Sequence, residues 1–216
     1  MKAVIFDFDG LILDTETAWY EAYKETMVFY EVDLPLEHFV TCIGTDNTEL
    51  NAFFKSQLGD RYNIEEIETR AKSLHEGKME AAVAREGVKE YLEEAKKSGY
   101  KTALASSSSK EWVTLYLEKL GLLHYFEAII TGDDVAKVKP APDLYIKAID
   151  VLNVDPTEAI AFEDSLNGLQ AALKAGVKCV IVPNPVTEAL AFKHHHLRLR
   201  SMKEKSLADV IKQIEQ

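Results

Sequence analysis

"KAVIFDFDG" (Lys2–Gly10) runs from a block of β formers into two aspartates separated by one phenylalanine. Val4, Ile5 and Phe6 are apolar without alternation, the pattern of a strand buried on both faces. Carboxylates at the end of such a strand are costly unless something compensates them. The reading of Asp7 and Asp9 therefore decides what lies beyond the strand.

Four comparable runs follow much later: "YKTALAS" (Tyr100–Ser106), "EAIIT" (Glu127–Thr131), "AIAFE" (Ala159–Glu163) and "KCVIVP" (Lys178–Pro183). Helical stripes separate them. Val88, Tyr91, Leu92 and Ala95 share one face. So do Val113, Tyr116, Leu117 and Leu120, then Tyr145, Ala148, Ile149 and Leu152, then Leu166, Leu169 and Leu173. This alternation predicts a Rossmann-like parallel sheet flanked by helices, with right-handed crossovers. Between the first strand and Val88 only helical spacing occurs: Trp19, Ala22, Tyr23, Thr26, Met27 and Tyr30; then Leu50, Phe53, Phe54 and Leu58; then Ile64, Ile67, Ala71 and Leu74. An α/β core of residues 1–14 and 85–216 is expected, with an all-helical domain of residues 15–84 inserted in the first crossover. Two adjacent linkers would make a hinge, with Thr15 at its edge.

The chain has 216 residues, 47% hydrophobic and 28% charged, as in ordinary globular proteins. It carries 25 Lys and Arg against 36 Asp and Glu, a formal charge of -11. That balance argues against nucleic-acid binding through a broad basic surface. It leaves room for small anions at a locally positive point. Cys42 and Cys179 have no metal or redox spacing and read as free thiols in a reducing compartment. No leader pattern or membrane-length apolar run is visible, so a cytoplasmic protein, monomeric or weakly dimeric, is expected.

Polar clusters recur at the predicted strand ends, where an open α/β sheet places its ligand crevice. Asp7 and Asp9 follow the first strand, Ser106 to Ser109 the second, Lys139 the third, and Glu163 and Asp164 the fourth. An aspartate can attack phosphorus and form an acyl phosphate that water cleaves. Asp7, nearest the strand, suits that role. Asp9 suits proton transfer to a leaving oxygen and from water. Singly, each acid is as well explained as a turn or cap residue. Four acids on one rim would repel unless some protonated or a cation joined them. Mg²⁺ fits, with Asp7, the Asp9 carbonyl, Asp164 and Glu163 as candidate ligands. Glu163 could instead hold Lys139. Ser106 and Ser107 could bind phosphate oxygens, and Lys139 could neutralise the transferring phosphoryl group. The spacing does not fit a calcium loop.

In this order, "DFDGLILDT", "LASSS", "KVKPAPDLY" and "FEDSLNG" resemble the four motifs of the haloacid dehalogenase (HAD) superfamily of phosphotransferases. The helical insertion is similar to the cap of its β-phosphoglucomutase-like subgroup. The resemblance implies Mg²⁺-dependent hydrolysis of a small phosphorylated metabolite, such as a sugar phosphate, with the cap shaping substrate choice. The mutases of that subgroup carry a His on the first cap helix and an Arg in a cap loop. Here Trp19 and Tyr20 occupy the helix, and "IGTDNTEL" (Ile43–Leu50) has no Arg. A phosphatase is therefore expected over a mutase. Thr15, Trp19, Gly44, Thr45, Asp46 and Asn47 are the hinge or cap candidates for substrate contact. A receiver-like module phosphorylated on aspartate is a third reading, but it would lack the insertion. "KHHHLRLR" (Lys193–Arg200) reads as a solvated surface tail, since adjacent histidines rarely face one ion.

Overall fold

The computed structural model describes residues 1–40, 43 and 47–216. Gly44, Thr45 and Asp46, three of the cap candidates, lie outside the described residues, as does Cys42. The five apolar runs form β1 (Ala3–Phe6), β2 (Lys101–Ala105), β3 (Ala128–Ile130), β4 (Ala159–Glu163) and β5 (Lys178–Ile181). A sixth strand, β6 (Leu197–Arg198), completes the sheet in the order β3-β2-β1-β4-β5-β6, every pairing parallel. β1 thus lies where the order reverses, between β2 and β4. The switch point of such a sheet opens a crevice at the carboxyl ends of these strands.

The segment "KHHHLRLR" is largely exposed, as expected, but it supplies an edge strand of the sheet and is not a tail. The backbone N–H of His196 donates to the Cys179 carbonyl at 2.9 Å, and Cys179 N–H donates to His196 Nδ1 at 3.1 Å. These bonds bring the chain onto the edge of β5. Two residues of strand are too few to carry a periodic signal.

Helices cover both faces. The side-chain alternation of a strand assigns Val4, Phe6, Leu104, Ile160, Phe162 and Val180 to one face, where α5 (Val88–Lys97), α6 (Lys110–Lys119) and α9 (Leu207–Glu215) pack. The other face is built of smaller residues. Ala3, Ile5, Ala103, Ala105, Ala161 and Cys179 receive α7 (Asp143–Leu152) and α8 (Leu166–Lys174).

The region between β1 and α5 is helical: α1 (Thr15–Phe29), a single turn α2 (Leu36–Phe39), α3 (Thr48–Leu58) and α4 (Ile64–Met79). Tyr23, Met27, Leu34, Phe39, Leu50, Phe54, Ile67 and Ala71 bury one another in a cluster separate from the two sheet clusters. Asp14 starts α1 by accepting from Thr17 N–H at 3.1 Å. The outgoing and returning linkers run side by side. Leu13 bridges Ala84 antiparallel, and Arg85 N–H donates to the Ile12 carbonyl at 2.8 Å.

α4 differs in rotation from its sequence stripe. Ile67, Ala71, His75 and Met79 are buried at four-residue spacing, and Leu74 is only half-buried. His75 is drawn in because its ring stacks on Trp19 of α1, centroids 3.8 Å apart and planes 9° apart. Its Nε2 is buried with no hydrogen-bond partner, and burial lowers its pKa from 6.5 to about 4. The unfolded chain therefore takes up a proton on His75 as pH falls below 6.5, while the folded chain does so only near 4. Stability contributed by neutral His75 is present above pH 6.5 and is lost as pH falls through that window. Thermal midpoints measured across it should fall more steeply for the native chain than for His75→Phe.

Candidate active site

The rim of the sheet brings residues from four strand ends into one cavity, lined by Asp7, Asp9, Ser106, Ser107, Lys139 and Asp164. Lys139 lies at its floor, 7% exposed. Its Nζ donates to Asp7 Oδ1 at 2.5 Å and lies 2.6 Å from Glu163 Oε1. Burial works against this ammonium, but the Asp7 and Glu163 carboxylates outweigh it and hold the Lys139 pKa above the usual lysine range.

Glu163 is fully buried and receives a second donor, the Tyr145 hydroxyl of α7, at 2.6 Å. Ser165 Oγ approaches its other oxygen at 3.4 Å. Gly168 of α8 makes room for this carboxylate, since a Cβ there would fall 1.9 Å from Glu163 Oε2. Of the two roles open to Glu163, holding Lys139 is the contact observed.

Asp7, Glu163 and Asp164 place one carboxylate oxygen each within 4.8 Å of one another. Burial and the neighbouring Glu163 charge raise the Asp7 pKa to about 7 against the pull of Lys139. Burial and the charges of Asp7 and Glu163 push Asp164 well above the carboxylate range. Three buried carboxylates facing one ammonium leave an excess of negative charge, which a divalent cation would offset. The hydrogen bonds allow for one. Asp164 Oδ2 accepts from Asn184 Nδ2 at 2.7 Å, whereas Asp164 Oδ1 is buried without any partner. The donor set is all oxygen, as a hard cation such as Mg²⁺ requires.

Asp9 is half-buried and lies outside this cluster. Its Oδ2 accepts from Ser108 Oγ at 2.6 Å and Ser106 Oγ at 3.3 Å, and its Oδ1 accepts from Trp112 Nε1 at 3.0 Å. Two aspartates two residues apart thus have different surroundings, one against a lysine and the other among neutral donors. Gly10 permits the turn after them, with φ at +78°. Arg85 braces the same turn, donating to the carbonyls of Gly10, Val182 and Pro183.

From the helical region, Thr15, Glu16, Trp19 and Ile43 complete the cavity wall. Asn47 is not among the described residues lining it, and its side chain does not cap α3. Sequence reasoning missed Glu16, Trp112, Tyr145 and Asn184, and it placed Ser108 on the rim without its contact to Asp9. Asn184 follows β5, so the strand-end rule applied to the fifth strand would have found it. Glu16 lies one residue beyond Thr15. Burial, then the charges of Asp9, Asp7 and Asp14, raises its pKa to about 8. Tyr145 reads as part of an apolar helix stripe, Trp112 falls just before another, and neither carries a polar signal.

A Cβ on Gly10 would meet Asp164 Oδ2 at 2.0 Å and Asn184 Nδ2 at 2.7 Å. Gly10→Ala should lower stability by about 1–2 kcal/mol from the left-handed backbone alone. It should also displace Asp164. Urea unfolding with and without Mg²⁺ checks both: the midpoint gain from Mg²⁺ in the native chain should shrink in the variant.

The family model described as haloacid dehalogenase-like hydrolase matches residues 4–182. YhcW of Bacillus subtilis, which carries a provisional phosphatase name, is 47% identical over 209 residues, covering 96% of this chain and 95% of that one. The phosphorylated carbohydrates phosphatase of Thermotoga maritima is 33% identical over 182 residues, covering 82% and 83%. Among solved structures, CbbY from Rhodobacter sphaeroides in complex with phosphate superposes with a TM-score of 0.75 at 31% identity, covering 96% of this chain and 98% of that one.

Proposed function

Because the chain belongs to the haloacid dehalogenase-like hydrolases and is a phosphoric monoester hydrolase, we propose that it is a Mg²⁺-dependent phosphatase of small neutral sugar or polyol monophosphates, acting through phosphorylated Asp7. The observation that carries this reading is the separation of roles on the rim: Asp7 against Lys139, Asp9 among neutral donors two residues away. Residues 15–84 are the cap domain and the paired linkers its hinge, with Thr15 at the edge.

An Asp7 carboxylate oxygen attacks phosphorus, and the bond from phosphorus to the ester oxygen breaks. Asp9 gives its proton to the departing oxygen, which leaves as the alcohol. Water then attacks the phosphoryl group, Asp9 takes a proton from it, and the bond from Asp7 to phosphorus breaks. Phosphate leaves, and Asp7 returns to carboxylate. Lys139 and Ser106 hold the phosphoryl oxygens, with Ser107 beside them. Hydrolases of this family generally use a divalent metal, and here Asp7, the Asp9 carbonyl and Asp164 would hold Mg²⁺. When bound it would offset the carboxylate charge and the charge of the phosphoryl group. Glu163 serves mainly by holding Lys139.

Among the described residues lining the cavity, Lys139 is the one cationic side chain, and Asp7 and Glu163 already flank it. A second phosphate on the substrate would face Glu16 and Asp9 with no cation to receive it. Glu16, whose pKa burial and the neighbouring acids raise to about 8, lines the same cavity and can meet a substrate hydroxyl. Trp19 offers an apolar face for a sugar ring.

Asp7→Asn should lower kcat by about four orders of magnitude or more while the fold persists; retained Mg²⁺-dependent turnover would refute the nucleophile. In a phosphate-ester panel assayed for released phosphate, hexose and polyol monophosphates should give higher kcat/KM than the matching bisphosphates. Isomerisation of a sugar phosphate without phosphate release would support the mutase reading instead.

A further inference from the structure

Asp9 is held by a residue that no sequence motif contains. Ser109 caps α6 by accepting from the backbone N–H of Trp112 at 3.3 Å, so the start of the helix fixes where the indole reaches. Trp112 Nε1–H donates to Asp9 Oδ1, the oxygen opposite the one that meets Ser106 and Ser108. A serine hydroxyl can turn and accept, but an indole N–H can only donate. A proton on the Asp9 carboxyl is therefore directed to Oδ2, on the side of Ser106 and the phosphoryl pocket.

The indole is also the point where the helical region touches this arrangement. Its ring lies 5.9 Å from that of His75 on α4, with planes 28° apart, and His75 stacks in turn on Trp19 of α1. Farther along α6, Lys119 Nζ donates to the carbonyls of Met79 at 3.2 Å and Glu80 at 2.6 Å, at the carboxyl end of α4. α4 thus rests on α6 at two places, and one of them is the group that orients Asp9.

We propose that Trp112 is a positioning residue for Asp9, orienting the carboxyl so that Oδ2 delivers the proton to the leaving oxygen, and that the cap seats the indole through His75 and Trp19. The proposal rests on the reading of Asp9 as the general acid. Substrate choice by the cap and readiness of the acid are then coupled through one aromatic stack.

The test is kcat/KM across alkyl and aryl phosphates, a constant that ends at leaving-group departure and excludes the later attack of water. Trp112→Phe keeps a ring and loses the donor. It should lower kcat/KM for alkyl phosphates, whose leaving oxygen needs a proton, by about ten-fold or more. For 4-nitrophenyl phosphate, whose leaving group needs little help, the loss should stay within about three-fold. An equal loss across the series, or none, overturns the role of Trp112. Asp9→Ala is the control: if it spares alkyl phosphates, the acid assignment itself fails, whereas a selective loss there beside an unselective Trp112→Phe sinks only the positioning role. His75→Ala should reproduce part of the selective loss and His75→Phe restore it; an unaffected His75→Ala overturns the link to the cap. Independently of any change at Trp112, its indole Nε1–H resonance should shift in Asp9→Ala, and an unmoved resonance overturns the contact.

Discussion

A buried ammonium, Lys139 Nζ, lies between Asp7 Oδ1 and Glu163 Oε1, and the rim of the sheet is arranged around it. Each partner is needed to make the other tolerable. Removing one member of such a buried pair costs about 3–5 kcal/mol, because the charge left behind is uncompensated. The supporting residues serve the same constraint. Tyr145 satisfies Glu163, and Gly168 clears space for it. The ammonium is outnumbered by carboxylates even so. Burial, and then that excess, raises the pKa values of Asp7 and Asp164, and Asp164 Oδ1 is left without a hydrogen-bond partner. A site so balanced favours a divalent cation and a dianionic phosphoryl group together over either alone.

Much of this was legible in the sequence because its signals are local. Five consecutive apolar runs mark strands, and the polar residue after each of the first four marks the crevice. Topology did the remaining work: a parallel sheet puts all its carboxyl ends on one side, so distant segments had to converge. Asn184 obeys the same logic after β5. β6 did not show, since two residues held by His196 and Cys179 leave no period to read.

What stayed hidden were side chains whose role depends on rotation about a helix axis. Tyr145 sits in an apolar stripe and Trp112 precedes one, and nothing in their spacing says that one polar atom of each points to a carboxylate. His75 replaced Leu74 as the buried residue of α4 because Trp19 offered it a face to stack on. Such contacts depend on how α4 lies on α6, a tertiary arrangement that no single helix encodes. Glu16 was missed for a different reason. Its environment, burial first and then the acids around it, raises its pKa to about 8, and nothing in its spacing shows that.

Acidity at the centre and neutrality around it divide the labour between core and helical insertion. On the proposed reading the core would hold the phosphoryl group by charge, while the insertion would meet the rest of the substrate with Thr15, Glu16 and Trp19. The claim on which this division depends is that Asp7 carries the phosphoryl group. Acid quench within the first turnover, followed by mass spectrometry of the peptide holding Phe6 to Glu16, tests it most directly. The account predicts transient phosphate on Asp7 that decays as free phosphate appears; transient phosphate on any other side chain would contradict it.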